Sequence, residues 1–412
     1  MNNMINKLSE YCTIISGYAF KASDLSDDDK IAVIKIGNIG NKSNLILSKD
    51  TQYVSDKFME LDKKYHVNYG DVLISLTGSH INQPNSIVGR CCVNYNHETY
   101  LLNQRAGKVI PKKNANLDYM YYLLSSDFMK CEIVNRAYGA ANQVNVSPKD
   151  LMKIKYDFPN LTIQEKISSV LKKYDELIEN NNKRIKILEQ MAEELYKEWF
   201  VRFRYPGYRN DSFVGDIPAR WKISRIKEIG KIITGKTPST KNESYYGEYC
   251  MFVKTPDMHG NTFVISTSEN LSLKGSDSQK KCLLEPNSIM VSCIGTGGVV
   301  AINKKMAHTN QQINSIVLKN IDHLYWAYFT VKSLKETIEM YGNTGTTMTN
   351  LSKGKFEKIK IVNPNDELKC LFQSEVQPLM DELYNLLERN ENLINQRDLL
   401  LPRLMSGKLE VK

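Results

Sequence analysis

What the chain lacks narrows it first. No apolar run approaches the ~18 residues that a membrane-spanning helix needs, and the opening residues carry no secretory pattern, so neither a span nor secretion is expected. The 8 cysteines have no C-x-x-C spacing, and Cys91 stands directly beside Cys92, a poor start for a disulfide framework. Reduced thiols in a cytoplasmic protein are the expectation. The 6 histidines, at 66, 80, 97, 259, 308 and 323, show no zinc-ligand spacing, so no metal and no other cofactor is expected.

Catalytic signatures are missing too. An adenine-N6 methyltransferase needs a Gly-rich cofactor loop and an Asn/Asp-Pro-Pro-aromatic tetrad; Asn363-Pro364-Asn365 lacks the second proline and the aromatic. Pro256-Asp257 has no Glu-x-Lys or Asp-x-Lys within the next thirty residues to complete a nuclease cluster. Gly230 to Thr237 (GKIITGKT) does fit the phosphate-loop pattern letter for letter. That mechanism requires a buried strand before the loop and a helix N-terminus after it, so that backbone N–H groups cradle phosphate. The lead-in WKISRIKEI is charged and amphipathic, and Pro238 follows at once, so the match is set aside.

What is present is a sequence written twice. Gly139 to Pro159 (GAANQVNVSPKDLMKIKYDFP) resembles Thr344 to Pro364 (TGTTMTNLSKGKFEKIKIVNP), pairing Asn145 with Asn350, Ser147 with Ser352, Ile154 with Ile359 and Lys155 with Lys360. Earlier, Glu10, Ile14, Ile15 and Gly17 pair with Glu228, Ile232, Ile233 and Gly235. Lys35 pairs with Lys254, Ser75 with Ser292, Gly78 with Gly295, and Asn103-Gln104 with Asn310-Gln311. A period near 200 residues is a duplicated domain rather than a solenoid unit. The drifting offset means loops of different length on a common frame.

Each copy is β-rich and ends in a long heptad helix. Strands are expected at Ile31–Ile36, Val72–Leu76, Ile87–Cys92 and Gly107–Ile110, and a helix over Asp118–Arg136 with Tyr119, Tyr121 and Tyr122 partly in the core. The second copy repeats this near Met251–Lys254, Ser288–Cys293, Val299–Ile302 and Ser315–Leu318. Thr162 and Glu165 read as a capping box opening the first long helix. Its seam runs Leu171, Ile178, Ile185, Ala192, Trp199 and Tyr174, Asn181, Leu188, Leu195, Arg202. The second helix carries Leu379, Leu386, Leu393, Leu400 and Leu383, Asn390, Arg397, Leu404, with Pro402 expected to bend or end it. Asn181 and Asn390 both fall on the seam, which reads either as a wet, frayed position or as a polar pair fixing register. The expected fold class is α+β: two β-rich domains in a pseudo-two-fold arrangement, separated by an antiparallel coiled coil of two long helices. The expected boundaries are 1–158, 159–206, 207–364 and 365–412. About 40 helical residues make roughly 60 Å, or about 17 base pairs of duplex. A net charge of +9 and a pI of 8.9 suit a polyanion without requiring one.

Taken with their order and duplication, Glu198 to Gly207 (EWFVRFRYPG), Gly215 to Lys222 (GDIPARWK), Gly70 to Ser75 (GDVLIS) and the terminal Leu401 to Leu409 (LPRLMSGKL) resemble the specificity subunit of type I restriction–modification systems, over essentially the whole chain. The resemblance implies that each globular part is a target recognition domain reading one half of a bipartite, asymmetric DNA target. It implies that the helices set the gap and dock two methyltransferase subunits, that translocating restriction subunits join them, and that this chain performs no chemistry itself.

Base edges are read by amide, hydroxyl and guanidinium groups, and phosphates by lysine and arginine, mostly from loops. The candidates in the first copy are Thr77, Ser79, His80, Asn82, Gln83, Arg90, Asn103, Gln104, Arg105, Asn142 and Gln143. In the second copy they are Lys236, Lys254, Thr296, Lys304, Asn310, Gln311, Gln312, Thr346 and Thr347. The matched Asn-Gln pairs read equally as frame residues bonding backbone. Leu195, Trp199, Phe200, Leu400 and Leu404 are the expected partner-binding residues, exposed when no partner is bound. Two other readings stay open. A structural coiled-coil adaptor explains the heptads but not two divergent β-rich domains; a nucleotide-dependent DNA-modifying enzyme rests only on Gly235-Lys236-Thr237.

Overall fold

The computed structural model describes residues 5–40, 43–48, 50–79, 88–140, 143–342 and 349–411. They form two compact units, Met1–Glu179 with Asn392–Lys412, and Asn180–Glu391.

The first unit is built on a five-stranded sheet. Ala106–Pro111 lies between Cys12–Ser16 and Val72–Ser75, both antiparallel to it; Cys91–Val93 and then Ser43–Asn44 extend the sheet, the last strand parallel. Alternation explains the placement: Val72 and Ile74 join the main core while Leu73, on the other face, joins a second cluster with Ala32, Ile34 and Leu102. The helix expected over Asp118–Arg136 is two helices, Leu117–Ser125 and Asp127–Val134. Ser126 breaks it, because its extended backbone lets Oγ accept the N–H of Met129 and cap the second helix. Tyr119, Tyr121 and Tyr122 are buried entirely rather than in part.

The second unit repeats this plan with the same strand order: Ile313–Leu318 between Gly230–Thr234 and Ile289–Ser292, then Val300–Asn303 and a parallel Phe263–Val264. The expected sequence pairs occupy equivalent registers: Ile14 opposes Val109, and Ile232 opposes Ile316. Asn145 opposes Thr77, and Asn350 opposes Ile294. Gly230 to Thr234 is therefore a core strand, and the N–H groups of Gly235 and Lys236 already donate to the carbonyls of Ile313 and Thr309. No N–H cradle for phosphate exists there.

The long helices are Leu161–Tyr196, continued by a π-helical turn to Val201, and Asp366–Met405. The first starts one residue before the expected Thr162: Asn160 Oδ1 accepts the N–H of Ile163 at 3.0 Å and is the cap. The second runs on through Pro402, which removes one backbone hydrogen bond from its last turn, and ends three residues later at Met405. Each unit takes one half of each helix, packed antiparallel. In the first, Leu171, Leu401 and Leu404 complete the core over Tyr11, Leu123 and Phe158. In the second, Ala192, Tyr196, Trp199 and Phe200 meet Phe372, Val376 and Leu383 over the sheet. Phe372 is fully buried, its ring centroid 5.6 Å from Trp199 and 5.0 Å from Phe200. Trp199, Phe200 and Leu404 are thus buried, and Leu195 and Leu400 are half-buried against the same cores. The exposure expected for this set is corrected: the globular parts need these side chains to close their own cores.

His308 sits on the strand Ala307–Thr309 with no exposed surface, its Nε2 2.9 Å from Ser276 Oγ. Burial lowers its pKa from 6.5 to about 4. The unfolded chain takes up a proton near 6.5 that the folded unit refuses until about 4, so stability is full above 6.5 and falls as pH drops through that window. A loss on the order of 2–3 kcal/mol is expected between pH 6.5 and 4. Thermal melts across this range should flatten in a His308→Gln variant; an unchanged slope would remove His308 as the cause.

Candidate nucleic-acid interface

In each unit several loops gather at one end of the five-stranded sheet. In the first, the Asn103–Arg105 turn leads into Ala106, which pairs with Ser75; Thr77–Gly78 follows Ser75 and pairs with Gln143–Asn145, itself paired with Tyr138–Ala140. In the second, the Asn310–Gln312 turn leads into Ile313, which pairs with Ser292; Ile294–Gly295 follows and pairs with Thr349–Asn350.

The Asn-Gln turn is built the same way twice. Asn103 Oδ1 accepts the N–H of Arg105 at 3.3 Å, and Asn310 Oδ1 accepts the N–H of Gln312 at 3.2 Å, the local side-chain turn to which asparagine is suited. A glycine backs each turn. A Cβ on Gly17 would stand 2.4 Å from the Asn103 carbonyl oxygen, and one on Gly235 would stand 2.2 Å from that of Asn310. The asparagines are therefore frame residues. Gln104, Arg105 and Gln311 point outward, exposed. Gln311 Oε1 accepts from Thr237 Oγ1 at 2.5 Å, which aims its amide. Gln312 is turned inward, accepting from Asn310 Nδ2 at 3.0 Å.

The other candidates divide. Gln143 is exposed on its strand, as are Thr296, between Gly295 and Gly298, and Lys236, beside the Asn310 turn. Thr77 and Ser79 are buried, Thr77 Oγ1 donating to Asn145 Oδ1 at 2.7 Å, so both sit in the frame. Arg90 is half-buried, its guanidinium donating to the Ile36 carbonyl at 3.0 Å, and burial lowers its pKa. Lys254 lies at the same end but pairs with Glu269 at 2.7 Å. Lys304 is away from it: its ammonium lies over the rings of Phe263 and Tyr384, 4.9 and 5.7 Å from their centroids, and burial lowers its pKa. His80, Asn82, Gln83, Asn142, Thr346 and Thr347 lie outside the described residues.

Sequence reasoning passed over one matched pair at this end, Tyr138-Gly139 and Tyr341-Gly342. Both tyrosines are more than half exposed, and both glycines are closely packed, Gly139 by the Gln143 backbone and Gly342 by the Thr349 side chain and the Asn350 backbone. The shared Tyr-Gly dipeptide at the start of the aligned stretch was the available signal. Among the described residues, no group of three or more His, Cys, Asp or Glu could hold a metal ion, and no helix is long and apolar enough to cross a membrane.

Known proteins are similar to this chain. A family model described as the type I restriction modification DNA specificity domain matches residues 2–190 and again residues 218–396. The chain is 28% identical over 378 residues to the specificity subunit of the type I restriction enzyme HindI of Haemophilus influenzae, covering 76% of this chain and 82% of that one. It is 24% identical over 407 residues to the putative MjaX specificity subunit of Methanocaldococcus jannaschii, covering 96% and 88%. The crystal structure of a type I restriction–modification S subunit from M. genitalium matches with a TM-score of 0.57 at 15% identity, covering 98% of this chain and 97% of that one; this likeness is one of fold.

If Gly17 and Gly235 are what let the turns close, Gly17→Ala and Gly235→Ala should each destabilise the chain by about 1–3 kcal/mol, by overpacking against backbone. Gly354→Ala, in a helical turn with nothing within 4 Å of the added carbon, should not destabilise and should gain up to about 1 kcal/mol. Denaturant midpoints of the three variants check this; equal midpoints would dissociate the glycines from the turns.

Proposed function

The chain belongs to the type I restriction modification DNA specificity family, and from that membership we propose that it is the non-catalytic specificity subunit of a type I restriction–modification complex, in which each β-rich part reads one half of a bipartite, asymmetric DNA target. The carrying observation is that one frame occurs twice with different exposed side chains at the same end. Around the matched Gln104 and Gln311, Arg105 and Gln143 are exposed in the first copy, and Thr296 and Lys236 in the second, at positions that do not match. Two unlike half-sites require two unlike sets of readers on a common support.

In this reading, glutamine bonds adenine edges bidentately, arginine bonds guanine, and lysine contacts phosphate. Residues 1–158 and 207–364 are the two target recognition domains, with 159–206 and 365–412 as the helices between them that set the gap. Tyr138 and Tyr341 offer each half-site an exposed aromatic face. Double-stranded DNA is one partner; two methyltransferase subunits and the restriction subunits are the others. With Trp199, Phe200 and Leu404 committed to packing, the docking of a methyltransferase falls to apolar side chains that remain exposed on the first long helix: Leu177, Ile187 and Met191, each about half exposed.

The test is co-expression with a cognate methyltransferase, followed by sequencing of methylated adenines in the host genome. A two-part motif with a fixed gap is expected. Gln104→Ala and Gln311→Ala should each relax one half only, with about 1–3 kcal/mol of lost base discrimination per bidentate pair and unchanged melting temperature. A continuous motif, or methylation indifferent to this chain, would defeat the proposal.

A further inference from the structure

Two buried polar layers cross the seam between the long helices. In the first unit Arg397 Nη1 donates to Asp175 Oδ1 at 2.6 Å, and Tyr122 Oη donates to Asp175 Oδ2 at 2.6 Å; arginine and aspartate are both less than a tenth exposed. In the second unit Asn181 Nδ2 donates to Asn390 Oδ1 at 2.9 Å, and Asn390 Nδ2 donates to Asn182 Oδ1 at 2.8 Å. The four residues facing one another across the helices, Asp175, Arg397, Asn181 and Asn390, are all buried. Both layers obey one antiparallel register: moving from Asp175 to Asn181–Asn182 on one helix moves from Arg397 back to Asn390 on the other.

Within the seam between the two polar layers, the leucine row of the second helix does not by itself choose a register; the apolar contacts that do lie towards the helix ends, as where Trp199 and Phe200 meet Phe372. Leu379, Leu386, Leu393 and Leu400 repeat every seven residues, so sliding one helix by a heptad sets leucine where leucine was. The polar layers do choose. Slid one way, Asp175 would face Leu404, and Asn390 would face Glu189. Slid the other way, Asp175 would face Asn390, Arg397 would face Ser168, and Asn181–Asn182 would face Leu383 and Tyr384. Either slip separates a buried carboxylate from its guanidinium, which is the costly case, whereas the matched apolar replacement of both partners is cheap. The exposed Arg184–Glu382 pair adds little to this choice, since solvent screens it.

We propose that the Asp175–Arg397 and Asn181–Asn390 layers are positioning elements that fix the gap between the two half-sites, and so belong to the specificity of the protein although they touch no base. This rests on the proposed reading of a bipartite target. A heptad slip displaces one helix along the other by about 10 Å, equivalent to about three base pairs.

The experiment reads gap length, which a purely structural role would not move. The variant carrying Asp175→Leu, Arg397→Leu, Asn181→Leu and Asn390→Leu is co-expressed with the methyltransferase and the methylated adenines are mapped. Expected is the same pair of half-site sequences, with a second class of sites whose gap differs by about three base pairs. A single, unaltered gap overturns the inference. If that variant gives no methylation, the exchange Asp175→Arg with Arg397→Asp decides. It keeps a paired layer, so methylation at the original gap supports the inference and silence overturns it. The unsubstituted chain separates the two levels of argument: if it yields no bipartite motif, the proposed function fails, whereas a bipartite motif with an indifferent gap defeats only the role of the layers.

Discussion

Neither β-rich part of this chain closes its own core, and the rest of the structure follows from that. The first sheet leaves Tyr11, Leu123 and Phe158 uncovered until Leu171, Leu401 and Leu404 arrive from the two long helices. The second relies on Ala192, Trp199 and Phe200 from one helix and Phe372 and Leu383 from the other. Residues almost at the two ends of the sequence thus share one hydrophobic cluster, and a helix that looks like a linker is structural in both units. Burying a side chain of this size contributes about 1.5–3 kcal/mol, so the helices and the globular parts stabilise each other and neither is a detachable module.

The same constraint settles which groups are free to act. Trp199 and Phe200 read as docking residues because the resemblance makes the helices a docking surface and aromatic side chains are enriched at interfaces. They are consumed by the second core, as the ring packing around Phe372 shows. A helix that must cover a sheet on one side and meet a partner helix on another has little apolar surface left. What remains includes Leu177, Ile187, Met191 and Val201, on positions the heptad pattern does not mark.

Much of the fold was legible in the sequence because the duplication gave each strand two independent readings. Strands at Val72–Ser75 and Ile289–Ser292 were marked by apolar run and by matched serine alike, and the serines turn out to do one job: Ser75 Oγ accepts the N–H of Arg90, and Ser292 Oγ accepts the N–H of Val299, each at 3.0 Å. Boundaries were less legible where short-range capping competes with periodicity, as at Ser126 and Asn160. The candidate interface was legible as a set of turns but not as a set of side chains. Asn103 and Gln104 are neighbours with the same chemistry, and only backbone geometry assigns the first to the frame and the second to solvent. Lys254 and Lys304 looked alike as lone cations; one is held by Glu269 and the other by two aromatic rings, contacts made with residues distant in sequence.

Comparing the copies also sorts the surface by what it can mean. A position that is the same in both units cannot tell two half-sites apart, so identity marks support, or a base that both half-sites share as at Gln104 and Gln311, and difference marks the readout that separates them. Lys35 and Lys254 fit the first class: each donates its backbone N–H to the side chain three residues on, Asn38 at 2.9 Å and Asp257 at 2.8 Å. Gln143, Arg105, Thr296 and Lys236 fit the second, being exposed and unmatched. Tyr138 and Tyr341 fit neither, since they are matched yet exposed. On the proposed function, a group present at both half-sites and blind to their difference has one kind of work left, contact with what all duplex DNA shares. An aromatic ring with a hydroxyl at its edge is suited to that, bonding phosphate or sugar while the glutamines and arginine beside it address the bases.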